Sequence, residues 1–464
     1  MPAPTPAAVL ALPDREVPET RPRARTLLVL PLLLAVTLGL GAGLAPVVTL
    51  VVAVTVAASL VLLLRLEWAV PALVVGSVFE GYLDRLSPGV VPWLGLVLVL
   101  SWLVRRARGR RPPHRLGALV LPAAVLVATL VASYAVHPLG AQGLAVVLRW
   151  GGLAVVGLVL ADSLATGSSG PLAPRTVART YVLACTAAAV CGLVTAVLAD
   201  RHRVVAPVGP VDTADGTAFF LLAALPLVGT VRGRREDPVW WVWGCATVLL
   251  LAGIGTQSRP ALVGLVVMTV LGVATGLLPW RRAGALLAVV VTLVAVAVAL
   301  LPVPVGDVLS DPQRYSDPGI AQRNDQRQVA WALAREGPVL GHGPASYAGR
   351  EDAPPDVDTA YSTVLESAAE IGVLGTLALY AGWLLPVLGA VRRWRRTRGR
   401  LTGDVLVALG ALVAVSLLET QQLALPLWLL AALAWALGRP PPLRSALLPA
   451  SADRRTSGQV APGS

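Results

Sequence analysis

Arg323, Arg327, Trp331 and Arg335 recur every four residues within 321–336, a stretch without glycine or proline. Written as a helix, that spacing sets three guanidinium groups and an indole along one face. Such a face can hold a diphosphate through its arginines and stack a sugar on Trp331. The plainer alternative is the solvated side of a lid helix. Gly341-His342-Gly343-Pro344 reads as a tight turn, in which His342 is a candidate proton acceptor or simply a solvated histidine. Arg259 stands in Gly255-Thr256-Gln257-Ser258-Arg259-Pro260, at the mouth of an apolar run. Arg149 lies about six residues inside another run, where an arginine is costly unless it is paired, functional or able to snorkel.

These residues interrupt a chain that is otherwise apolar. Of 464 residues, 56% are hydrophobic and 14% charged, against roughly 25% charged in a soluble domain. Apolar runs fall at 27–44, 45–64, 66–82, 91–104, 116–136, 143–163, 180–199, 217–231, 239–254, 260–278, 285–305, 361–386, 401–419 and 425–437. A straight span needs about 20 residues, and several runs are shorter. The expectation is an all-α polytopic membrane protein of about 12–14 transmembrane helices, with one long, partly helical extracytoplasmic loop. The divisions expected are a disordered cytoplasmic tail (1–26), a transmembrane bundle (27–305), a loop domain (306–360), C-terminal transmembrane helices (361–437) and a second disordered tail (438–464). Within the loop, Gly337-Pro338 is predicted to end the helix over 321–336.

The net charge of +12 is carried by arginine alone, since the chain has no lysine. The basic residues cluster between apolar runs, at 105–111, 232–235, 281–282 and 392–398. That placement suits membrane topology better than nucleic acid. It predicts these connectors and both termini on the cytoplasmic side of the cytoplasmic membrane, with membrane lipid around the bundle. The loop then lies outside, and its acidic residues outnumber its arginines. Cys185, Cys191 and Cys245 all fall within apolar runs and read as small buried residues. The sequence shows no metal cluster, P-loop, dinucleotide fingerprint or serine-nucleophile motif.

The loop and the span after it resemble the O-antigen ligase / Wzy polymerase family of membrane glycosyl transferases. Arg327-Gln328-Val329-Ala330-Trp331, followed by Gly337-Pro338-Val339-Leu340-Gly341-His342-Gly343-Pro344-Ala345-Ser346-Tyr347, is similar to that family's R-x-x-x-W … P-L-x-G-x-G-x-x-x-F/Y segment. Tyr361-Ser362-Thr363-Val364-Leu365 through Glu370-Ile371-Gly372-Val373-Leu374-Gly375 is similar to its H-N/S-x-x-L-x-x-x-x-E-x-G-x-x-G segment. Thr256-Gln257-Ser258-Arg259 resembles its T-x-S-R-G/A segment, and Gly209 through Ala218 its G-x-x-x-N-x-x-A segment.

The resemblance implies transfer of a glycan from an undecaprenyl-diphosphate carrier to an acceptor hydroxyl, at the outer face of the cytoplasmic membrane, in envelope polysaccharide assembly. It implies no metal or cofactor, and other polysaccharide-assembly membrane proteins as partners. Arg259, Arg327, Arg149 and Arg323 would bind the diphosphate. The family's basic histidine falls at Tyr361 here, and an unperturbed tyrosine titrates near about pH 10. Asp358, Glu366 or His342 then stands in as the base, or the acceptor needs little activation, or transfer has been lost. Two rival readings remain at this stage: a transporter or flippase of lipid-linked sugars, and a non-catalytic relative within an envelope-assembly complex.

Overall fold

A backbone in lipid must satisfy its own hydrogen bonds, which leaves long apolar runs only the helix or the closed barrel. The computed structural model describes Thr55 and residues 57–87, 89–108, 116–167, 170–199, 204–205, 209, 213–232, 238–281, 284, 288, 318–347, 359–420 and 424–439. Among these the regular structure is helical throughout. Most of the expected runs 27–44, 45–64 and 285–305, nearly all of the two tails, and Asp358 lie outside the described residues. The chain divides between Val61 and Leu62 into two units. Of the first, the described part is Thr55 and a short helical stretch at 57–61.

The second unit carries α1 (Leu66–Val78), α2 (Glu80–Leu86), α3 (Val90–Ala107), α4 (Gly117–Val136), α5 (Gly140–Thr166) and α6 (Pro174–Leu198). Then come α7 (Ala214–Ala224), continued as a 3-10 helix over Leu225–Val231, α8 (Trp240–Gly255) and α9 (Arg259–Ala274). The loop supplies α10 (Pro318–Glu336), and the last three helices are α11 (Thr363–Thr397), α12 (Arg400–Ser416) and α13 (Leu425–Gly438). Six of these segments are long and apolar enough to cross a membrane. The chain is thus an all-α polytopic membrane protein.

The core centres on α11 and α13. Helix α13 is apolar on every side and buries every residue from Leu425 to Ala434, the mark of a helix enclosed by others. Helix α11 packs on α4 and α13, α13 on α5, and α12 on α9. Trp383 of α11 is fully buried and meets Trp428 of α13 edge to face, with ring centroids 5.8 Å apart. Leu121, Leu148, Val266 and Leu377 face outward, as lipid-facing residues do.

Helix α11 is broken once, at Gly372, whose φ of 72° and ψ of 177° are not helical. The break strands carbonyls that a continuous helix would satisfy, and the loop after α10 satisfies them instead. Ala369 O accepts from the His342 N–H (2.8 Å) and Glu370 O from the Gly343 N–H (3.1 Å), while Val373 N donates back to Pro338 O (2.9 Å). Ser133 of α4 adds a hydroxyl donor to Glu370 O at 2.7 Å. Only glycine fits at Gly372, because a Cβ would overlap the Val339 carbonyl. A small second core of Ala330, Leu333, Tyr347, Ala360 and Leu365 fastens α10 to the start of α11.

Candidate active site at one end of the bundle

The two ends of the bundle differ in charge. Arg105 and Arg106 close α3, Arg395 and Arg396 fall in the last turn of α11, and Arg400 opens α12 at one end. At the other end three helices begin with side-chain caps. Thr213 accepts from Gly216 N at the start of α7 (3.0 Å), Ser258 from Ala261 N at α9 (3.3 Å), and Ser362 from Leu365 N at α11 (3.5 Å). Helix N-termini carry partial positive charge, so three of them at one end favour an anion there.

Helix α10 lies against this end through Arg323 and Arg327. The Arg323 guanidinium donates to Asp215 Oδ2 at 3.2 Å and lies 4.5 Å over the Tyr361 ring. Arg327 donates from Nε and Nη2 to the Tyr361 carbonyl (3.3 and 3.2 Å) and from Nη2 to the Leu418 carbonyl (3.2 Å). It thereby ties the entry to α11 to the exit of α12. Tyr361 precedes the cap residue Ser362 and has a φ of 50°, in the left-handed region that a tyrosine rarely adopts. The two arginines hold it from ring and carbonyl.

Acidic groups surround them. Buried Glu366 accepts from Ala360 N (2.9 Å) and Thr420 Oγ1 (2.8 Å), bridging the loop to the α12–α13 turn. Glu370, also buried, takes backbone donors from Ala345 and Tyr347. Tyr347 donates its hydroxyl to Gln326 of α10. Glu419 lies in the turn after α12, with 8% of its surface exposed, and its Oε2 has no hydrogen-bond partner among the described residues. Its backbone is fixed by Thr363 Oγ1, which donates to Glu419 O at 3.0 Å. Burial pushes the Glu419 carboxyl up to about 7. The negative charges of Asp215 and Glu366 add to this, and Arg323 and Arg327 oppose it.

The remaining expected residues are placed apart from this cluster. The arginine row on α10 splits, with Arg323 and Arg327 turned into the bundle end. Arg335 stacks at 4.7 Å on Trp331, which is 51% exposed. His342 sits on the α4 side, its Nε2 3.1 Å from Leu333 O and its ring 6.1 Å from that of His137. Arg149 is paired with Glu80 at 2.6 Å. Arg259 is exposed at the first position of α9. That helix runs antiparallel to α12, with Gly264 against Val415, so Arg259 and Glu419 belong to the same end. Among the described residues no group of three or more His, Cys, Asp or Glu side chains could hold a metal ion.

Asp215 and Glu419 were not among the residues singled out from the sequence. The signal for Glu419 was there: an ionisable residue at the edge of an apolar run, where charge is costly. Asp215 lies inside the 209–218 segment and is its one acidic residue within α7.

No curated protein matches the chain. Residues 244–380 match the family model described as O-Antigen ligase. The match takes in most of α8, all of α9 and α10, the Gly337–Tyr347 segment and α11 as far as Tyr380. It ends short of Glu419 and begins after Asp215 and Arg149. Through residues 244–380 the chain is thus similar to the O-antigen ligase family.

Proposed function

We propose that the protein transfers a glycan from an undecaprenyl-diphosphate carrier to an acceptor hydroxyl, at the outer face of the cytoplasmic membrane, in envelope polysaccharide assembly. The observation that carries this reading is that Arg259, Arg323 and Arg327, all within the family-matched segment, belong to the same end of a helical membrane bundle. The leaving group is a diphosphate. Guanidinium groups and helix N-termini fixed in advance stabilise the charge that develops on it as the bond breaks. Arg259 is the exposed member and meets the diphosphate first. Arg323 exchanges its bond to Asp215 for a bond to the diphosphate. Arg327 keeps Tyr361 in place, so the ring of Tyr361 lines the sugar side, with Glu366 beneath it. Arg149 of α5 is held by Glu80, apart from these residues. Trp331, half-exposed, stacks a sugar on the face that Arg335 leaves open.

The test is transfer by the purified full-length protein in nanodiscs. Membranes from a strain lacking the gene supply both the diphosphate-linked glycan and the acceptor. Addition of wild-type protein should produce mature glycan, and Arg259→Ala should reduce the rate by about 10²–10³, as for loss of one charge-stabilising donor. No transfer by the wild type, or an undiminished rate in Arg259→Ala, would remove the reading.

A further inference from the structure

A transfer to a hydroxyl needs somewhere for the hydroxyl proton to go. Asp358 lies outside the described residues, and the other groups expected to receive it are otherwise engaged. Tyr361 lies beneath the Arg323 guanidinium. The Glu366 Oε2 already accepts from Ala360 and Thr420. The His342 ring is engaged by Leu333 O at 3.1 Å and lies 6.1 Å from the His137 ring. Resting on the glycosyl-transfer reading, we infer that Glu419 is the proton acceptor for the incoming hydroxyl.

Three observations carry this. Glu419 is on the α12–α13 turn, at the end where Arg323 and Arg327 dock, and its backbone is held by Thr363. Its Oε2 is buried and unpartnered among the described residues, which costs stability and is retained where a ligand supplies the missing bond. The groups facing it are Asp215 from α7, Arg323 and Arg327 from α10, and Glu366 from α11. Two carboxylates and two guanidiniums nearly balance there, and burial decides the outcome. The carboxyl therefore titrates near neutrality, at about 7, where a base can both take a proton and give it up.

The step balances without a further reactant. When Arg323 turns from Asp215 to the carrier diphosphate, the acceptor hydroxyl reaches Glu419 Oε2. The hydroxyl oxygen bonds to the anomeric carbon. The bond from that carbon to the diphosphate oxygen breaks, and its electron pair leaves with the diphosphate. The hydroxyl proton passes to Glu419 and then to water. Tyr361 takes no proton in this step.

The experiment measures transfer between pH 5 and 9 with the nanodisc assay, together with binding of undecaprenyl diphosphate to the same particles. Wild-type transfer should rise through about pH 7 to a plateau. Glu419→Gln, which keeps shape and hydrogen bonding, should bind undecaprenyl diphosphate within about twofold of wild type. It should transfer at least about 10²-fold more slowly, with the limb near neutrality gone. A Glu419→Gln protein that transfers within about fivefold of wild type, or keeps the same limb, overturns the assignment and leaves the proposed function standing. If Glu419→Gln does not fold, Glu419→Asp carries the test. Shortened by one methylene, it should lose at least about tenfold in rate and retain a pH limb, and a wild-type rate overturns the assignment. If the wild type neither binds undecaprenyl diphosphate nor transfers, the underlying function has failed.

Discussion

Arg327 donates two hydrogen bonds to the carbonyl of Tyr361, at 3.3 and 3.2 Å, and a third at 3.2 Å to the carbonyl of Leu418. One guanidinium thus holds the residue before the cap of α11 and the turn that carries Glu419. Its planar fork reaches both carbonyls at once, and a lysine ammonium cannot reproduce that geometry. Arg327→Lys should therefore destabilise the protein by about 1.5–3 kcal/mol, the range for hydrogen bonds from a charged donor. Proteolysis near residue 360 should accelerate in the variant. Wild-type thermal stability in Arg327→Lys would show that the clamp is dispensable.

Gly372 makes a second prediction. Its φ of 72° and the Val339 carbonyl, which a Cβ would overlap, leave no room for a side chain. Gly372→Ala should cost at least about 1–3 kcal/mol from backbone strain alone, with the clash added. The exchange of backbone bonds between Pro338–Gly343 and Ala369–Val373 should then fail. Hydrogen exchange at His342, Gly343 and Val373 is the readout, and protected amides in the variant would refute the account of the break.

The Arg149–Glu80 pair separates a structural arginine from a substrate-binding one. Glu80 is buried (7% side-chain exposure) and Arg149 one-third exposed (33%). Arg149→Ala leaves a buried carboxylate without its cation, at a cost on the order of 2–3 kcal/mol after discounting for that exposure. Adding Glu80→Gln should recover most of the lost thermal stability. If transfer returns with it, Arg149 acts by holding the fold. If stability returns and transfer does not, Arg149 contacts the diphosphate.

Glu419 also sets a dependence of stability on pH. Its carboxyl is raised from the ordinary value of 4.5 to about 7 in the folded protein, so between those values the folded state holds a proton that the unfolded state has released. Stability from this group is fully present below about pH 4.5 and is lost as pH rises through about 7. Glu419→Gln should therefore melt higher than wild type at pH 8 and nearly the same at pH 4.5. Equal melting temperatures at both pH values would contradict the burial of this charge.

The membrane helices were legible in the sequence because lipid leaves the backbone few choices. The apolar runs 116–136 and 425–437 became Gly117–Val136 and Leu425–Gly438. The stop at Gly337 was legible from glycine and proline chemistry, and α10 ends at Glu336. The arginine row was only half legible. A step of four residues drifts about 40° around a helix, so Arg323 and Arg335 do not face the same way. Which half docks was decided by Asp215, Tyr361 and Leu418, all remote in sequence from α10. The G-x-G and E-x-G spacings could be seen. What could not be seen is that they satisfy one another's backbone across the fold, since that pairing exists only after α11 breaks at Gly372. Glu419 looked like the end of a span. That its Oε2 has no hydrogen-bond partner among the described residues is a tertiary fact.

The measurement that most directly tests the central claim is the location of the diphosphate-linked glycan in cells lacking the gene. It should accumulate at the outer face of the cytoplasmic membrane, and mature glycan should return with the wild-type gene but not with Arg259→Ala at equal protein level. Accumulation at the cytoplasmic face, or mature glycan unchanged by the deletion, would contradict the account.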